Sequence, residues 1–139
     1  MAIAPTSGFL SGLHSLLETL YIVFLRGVAL VFVYFALQYW MRLIGIYDGP
    51  DYQFDTMAEH WRVAAAVLAV LLPITALGLW GLFSWGPVVW IFAICIEVGM
   101  HIGLPQLFGE QQMLMLFHAI CLMVFLVLQV AKRFIVNKS

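Results

Sequence analysis

The sequence predicts an all-α fold, an integral-membrane antiparallel four-helix bundle, on three observations. The chain of 139 residues is 65% hydrophobic and only 9% charged, where a soluble domain carries about a quarter charged residues. Its apolar residues fall into four stretches of about the length needed to cross a hydrocarbon core, roughly 20 residues each. Short turn-rich connections separate three of the four, and helices joined so closely lie as antiparallel neighbours. A water-soluble surface built from so few charges would leave large apolar patches; lipid as the outer solvent removes that conflict. The length suits one domain comprising the whole chain.

The first span is predicted over 20–41, interrupted only by Arg26. Ser15 and Glu18 have capping-box spacing ahead of it, which predicts a helix start near Leu16. Gln38, Tyr39 and Trp40 mark the far end, where aromatic rings settle at headgroups. The second span, 63–83, has no charge. Thr56 and Glu59 repeat the capping-box spacing and predict a helix start at about Met57. Ala65, Ala69 and Ala76 fall near one face with Pro73, a stripe that lets backbones approach closely in lipid. The third span, 87–104, follows the tight turn Ser84-Trp85-Gly86-Pro87, with Pro87 suited to a helix first turn. Pro105 and Gly109 break the chain, and the fourth span, 111–131, ends at Lys132 and Arg133.

The loop 42–62 is the longest connection and carries Asp48-Gly49-Pro50-Asp51, a turn signal. Four spans put both termini on one side. That side holds Lys132, Arg133 and Lys138, with Arg26 near it, against Arg42 and Arg62 on the other. Counting Lys and Arg places both termini in the cytoplasm and loop 42–62 in the periplasm. Arg26, near the inner end of its span, is expected to snorkel to the headgroups. Residues 1–20 contain no Lys or Arg, so the N-terminus lacks the basic region of a secretory signal.

Net charge is −1, and Lys and Arg are dispersed, which gives no footprint for nucleic acid. Cys95 and Cys121 lie in apolar stretches and read as small hydrophobes rather than a disulfide framework. The polar residues inside the spans are the informative ones, because ionisable groups in a membrane are costly. From a rise of about 1.5 Å per residue, Glu97 lies roughly 12 Å, His101 roughly 6 Å and His118 roughly 10 Å inward from their helix ends. Tyr34 and Gln38 reach a similar layer from the first span. Glu97 and His101, four apart, are expected on one helix face.

This layer supports three readings. In the first it is an interhelical hydrogen-bond network, with Glu97 neutral or partnered by His101 and His118 bonding across to the third span. In the second, two His on neighbouring helices hold a haem or a quinone carbonyl, although their depths differ and no Cys-x-x-Cys-His attachment is present. In the third, Glu97, His101 and His118 handle a metal or a proton, but the inner half has little polar continuation beyond Arg26. In the loop, Asp48, Asp51 and Asp55 do not match the EF-hand spacing and read as a solvated face. With Tyr47, Tyr52, Phe54 and Trp61 interleaved, that loop is expected at the membrane interface or on a partner protein.

The run Leu25-Arg26-Gly27-Val28-Ala29-Leu30, then Tyr34-Phe35-Ala36-Leu37-Gln38-Tyr39-Trp40, resembles a known family. So do Pro73 through Trp80, Ser84-Trp85-Gly86-Pro87-Val88-Val89-Trp90, and Glu97. The family is one of small four-span inner-membrane proteins of alphaproteobacteria, classed as a domain of unknown function, and the resemblance runs from about Glu18 to Lys132. In layout alone the chain is also similar to DoxX-like membrane proteins, some of which are linked to quinone or thiol redox chemistry; that implies no residue role. The expected function is a non-enzymatic inner-membrane protein without cofactor or metal, serving as subunit, assembly factor or envelope partner of a larger complex. Its expected partners are the lipid bilayer and another membrane protein or further copies of itself. The alternative is a DoxX-like redox protein that uses Glu97, His101 and His118 with a quinone or haem.

Overall fold

A computed structural model describes residues 4–46, 48, 53–109 and 111–137. The described residues are almost all helical: α1 (Ala4–Leu43), α2 (Glu59–Trp80), α3 (Gly86–Val98), a π-helical turn (Gly99–Gly103), the short α4 (Pro105–Phe108) and α5 (Gln112–Val136). Four helical segments are long and apolar enough to cross a membrane: Gly8–Leu43, Glu59–Trp80, Gly86–Gly103 and Gln112–Val136. Large apolar side chains stand exposed along all four, including Leu30, Leu77, Phe92 and Leu126.

The helix ends differ from the expected ones in three places. α1 begins by Ala4 rather than near Leu16, so Ser15 lies inside it and caps nothing. No proline interrupts residues 6–43, and the hydroxyls there bond locally: Ser11 Oγ donates to the Gly8 carbonyl and Thr19 Oγ1 to that of Ser15. Glu18 instead meets Lys132 of α5 at 2.9 Å, with His14 at 4.0 Å. α2 begins at Glu59 with Ala58 as its cap, and no side chain caps it. Thr56 Oγ1 donates to the Gln53 carbonyl at 3.3 Å, closing a turn ahead of the helix rather than capping it. α5 continues to Val136, so Lys132 and Arg133 lie within it rather than stopping it.

The core is shared by α1, α2, α3 and α5. Leu25, Phe32, Leu68, Leu72, Leu79, Trp90 and Ala93 are at most 1% exposed. Pairs along the helices show which parts meet. Arg26 lies over the Trp80 ring at 5.4 Å, and the Trp40 indole reaches Ala69. Tyr21 accepts from Gln129, whereas Phe32 packs near His118. Trp90 meets Phe125 edge-on at 5.4 Å, and Glu97 meets His118.

The small-residue stripe of α2 is buried: Ala65, Ala69 and Ala76 are all at most 4% exposed. Pro73 explains a contact on this face. A proline has no N–H, so the carbonyl four residues earlier loses its helical partner. That carbonyl belongs to Ala69, and the Trp40 indole Nε1 donates to it at 2.9 Å. Trp40 therefore ties α1 to α2 at the break that the proline makes. Nearby, the fully buried Thr75 hydroxyl donates back to the Leu71 carbonyl at 2.9 Å. Cys121 is buried and Cys95 exposed, so only Cys121 is a core hydrophobe; both are free thiols.

The turn from α2 to α3 is set by glycine and by one strained leucine. Leu82 N–H donates to the Leu79 carbonyl and Phe83 N–H to that of Gly78, the bond pair of a Schellman motif. The left-handed position of that motif, usually glycine, is Leu82 at φ 56°. We expect Leu82→Gly to raise stability by about 1 kcal/mol, the cost of holding a side chain in left-handed geometry, as read by thermal unfolding in detergent. Beyond the turn the helices touch backbone to backbone. A Cβ added at Gly86 would lie 2.6 Å from the carbonyl carbon and oxygen of Gly78. Gly86→Ala is expected to cost about 1–3 kcal/mol by forcing α3 away. Gly27→Ala, where a Cβ meets nothing within 4 Å, should be neutral or stabilise by about 0.5–1 kcal/mol.

Candidate functional site

The candidate site lies at the end of the molecule where α1 finishes and α2 and α5 begin. α3 brings Glu97 there, and α5 brings His118. Both are fully buried, and His118 Nε2 and Glu97 Oε2 are hydrogen-bonded at 2.5 Å, joining α5 to α3. The other ring nitrogen of His118, Nδ1, is buried without a hydrogen-bond partner among the described residues. The expectation that His118 bonds across to the third span matches this geometry.

The expectation that His101 partners Glu97 does not. Between them the helix widens into the π-helical turn Gly99–Gly103, where bonds span five residues instead of four. Four-residue spacing then no longer keeps two side chains on one face. His101 is 4% exposed and turns to the chain beyond α4, where its Nδ1 donates to the Gly109 carbonyl at 3.0 Å. Gly109 takes φ 73°, which glycine adopts without penalty. With Nδ1 donating, a neutral His101 keeps Nε2 as an acceptor. Among the described residues no three His, Cys, Asp or Glu side chains are grouped to hold a metal ion, so the three-ligand arrangement is not formed.

A cavity of about 250 Å³ adjoins the pair, lined by Tyr34, Phe35, Gln38, Tyr39, Arg42, Trp61, Glu97, His101, Gln111 and Leu114. The five side chains expected in one polar layer thus come together, except that His118 reaches it through Glu97. Tyr34 is 58% exposed and lines the cavity only at its margin. Tyr39, Arg42 and Gln111 were not singled out for the site by their sequence context. Arg42 sits one turn past Gln38 on α1, so helical spacing around Gln38 would have found it; Tyr39 instead lies one turn past Phe35 of the same cavity lining.

Trp61, expected at the interface with the acidic loop, is half-buried and turned inward. Its ring meets Phe108 edge-on at 4.9 Å, and the Arg42 guanidinium lies over it at 5.8 Å and over Tyr39 at 5.5 Å. His60 locks the same corner: Nε2 donates to the Leu107 carbonyl at 3.0 Å, and the ring stands edge-on to Phe108. Asp48 and Asp55 are exposed, as a solvated face requires. The Asp55 carbonyl accepts from Arg62 Nη2 at 3.3 Å. Gly49, Pro50 and Asp51 of the expected turn lie outside the described residues, as do Tyr47, Tyr52 and Lys138. Arg26 is exposed over Trp80 near the opposite end, far along α1 from this site.

No curated protein and no solved structure matches the chain. Residues 19–135, which include every helix pair that forms the core and the whole cavity lining, match the family of unknown function DUF6163. The sequence that builds the Glu97–His118 pair and its cavity therefore belongs to a member of the DUF6163 family.

Proposed function

We propose that this chain is a four-span protein of the bacterial inner membrane, an antiparallel bundle with both termini in the cytoplasm. In this reading it is a non-enzymatic subunit, assembly factor or envelope partner of a larger membrane complex. The observation that carries the reading is how its polar groups are used. Glu97 with His118, Trp40 with Ala69, His101 with Gly109 and His60 with Leu107 each join one segment to another. The outward faces are apolar on every long helix, as a surface facing lipid or partner helices requires. The excess of Lys and Arg at the end holding Arg26, Lys132 and Arg133 supports the cytoplasmic placement.

The test is native-state sizing after extraction in mild detergent from cells expressing the chain at its natural level. A defined assembly well above the 15.7 kDa monomer supports the reading. A monomer throughout, or a haem absorption band, or turnover of added quinone by the pure protein, overturns it; the last two would favour the redox alternative.

A further inference from the structure

Arg26 is the only charged residue of α1 between Glu18 and Arg42, and it is exposed. Its guanidinium lies over the Trp80 ring at 5.4 Å, and no described carboxylate pairs with it. A cation within a membrane-spanning helix is costly without a counter-charge. Leu30, Val33 and Leu37 follow Arg26 at steps of four, three and four residues, so all four share one face of α1. Those three apolar residues line a groove of about 440 Å³ between α1 and α2, and Trp80, which carries the guanidinium, lines it as well. Leu30, Leu37 and Leu77 on its flanks are exposed, whereas Ala29, Ala36 and Ala76 are buried and form its floor. The only polar side-chain groups in the lining are two indole N–H, and that of Trp40 is already given to Ala69. The groove thus accepts hydrocarbon and ends at a cation.

We propose that Arg26 and this groove form one site for an anionic phospholipid, its phosphate on the guanidinium and one acyl chain along the groove. This rests on the membrane-spanning reading and adds a selected lipid to it. The cation selects phosphate, whose oxygens match the planar fork of the guanidinium. The surroundings select a headgroup without an ammonium. Glu18 is the only acidic residue of α1, lies about two turns back, and is held by Lys132 at 2.9 Å, so an ammonium would find no free carboxylate beside Arg26. Length selects an acyl chain of one leaflet. From Ala29 to Trp40 the groove rises roughly 16 Å, about half of the hydrocarbon core.

The experiment is native mass spectrometry of the chain released from non-ionic detergent, titrated with phosphatidylglycerol or with phosphatidylethanolamine of identical acyl chains. One phosphatidylglycerol per chain is expected, bound roughly tenfold more tightly than phosphatidylethanolamine. Arg26→Gln should bring phosphatidylglycerol to the level of phosphatidylethanolamine. Val33→Trp, which fills the groove from an exposed position, should weaken both, and Val127→Trp, exposed on α5 away from the groove, should weaken neither. Should Arg26→Gln not elute as wild type, the preference of the unmodified chain and the Val33→Trp result decide. Equal binding of the two lipids, or a preference that survives in Arg26→Gln, overturns the proposal. A dimer that excludes lipid and is lost in Val33→Trp also overturns it, because the groove would then hold a second copy. A chain that needs detergent yet shows no preference sinks this proposal alone; one that stays monodisperse without detergent sinks the membrane-spanning reading with it.

Discussion

Replacing Glu97 with leucine should destabilise the chain by about 1–3 kcal/mol, the usual cost of stranding a buried polar group. His118 already buries one unpartnered nitrogen; without Glu97 it would bury two. His118→Leu should cost a similar amount by leaving the carboxyl alone. The double change removes both polar groups, so it should cost less than the two single changes added together, with a coupling of about 1 kcal/mol or more. Bonds between helices in lipid average below 1 kcal/mol because the separated helices find other partners. A large coupling here would mean that the pair is more than an average interhelical bond. Glu97→Gln is the conservative control, since an amide oxygen or N–H can still meet Nε2. Apparent unfolding temperatures in one detergent, measured for these four variants and the unmodified chain, give the comparison.

The second large effect is expected at Trp40. Trp40→Phe keeps an aromatic ring but removes the indole N–H, leaving the Ala69 carbonyl without its donor inside the α1–α2 contact. The expected loss is again about 1–3 kcal/mol. Its cause can be isolated. In a Pro73→Ala background the N–H of residue 73 is restored and can close the helical bond to Ala69, so Trp40→Phe should then cost little. If Trp40→Phe costs the same in both backgrounds, the indole acts through packing and not through that bond.

Hydropathy alone made the four long apolar helices legible, because a stretch of about 20 apolar residues has few folded alternatives. Helix ends were harder. Ser15-x-x-Glu18 has the spacing of a capping box, yet no proline stands between residue 5 and it, and the helix runs through it from Ala4. Thr56-x-x-Glu59 sits just ahead of a real helix start, but its hydroxyl closes the preceding turn instead. At the site, the residue types were readable: Glu97, His101 and His118 are all buried. Their pairing was not, because the argument that Glu97 and His101 share a face assumes α-helical spacing, and the π-helical turn begins between them. The bond from Trp40 to Ala69 was within reach of sequence reasoning. Pro73 orphans a carbonyl at a known position, and a donor near it must come from a neighbouring helix. The contacts of Trp61 were not legible, because Phe108 and Arg42, which pack on its ring, are distant in sequence.

The proposed topology requires an even number of crossings, and compartment-specific labelling measures that number directly. Single cysteines placed at residue 10, at Asp55 and at residue 137 in a chain with Cys95 and Cys121 replaced would be probed with an impermeant maleimide on intact spheroplasts. Four crossings with the proposed orientation predict labelling at Asp55 alone, with the two ends reacting only after lysis. Labelling of one end but not the other before lysis would contradict the account.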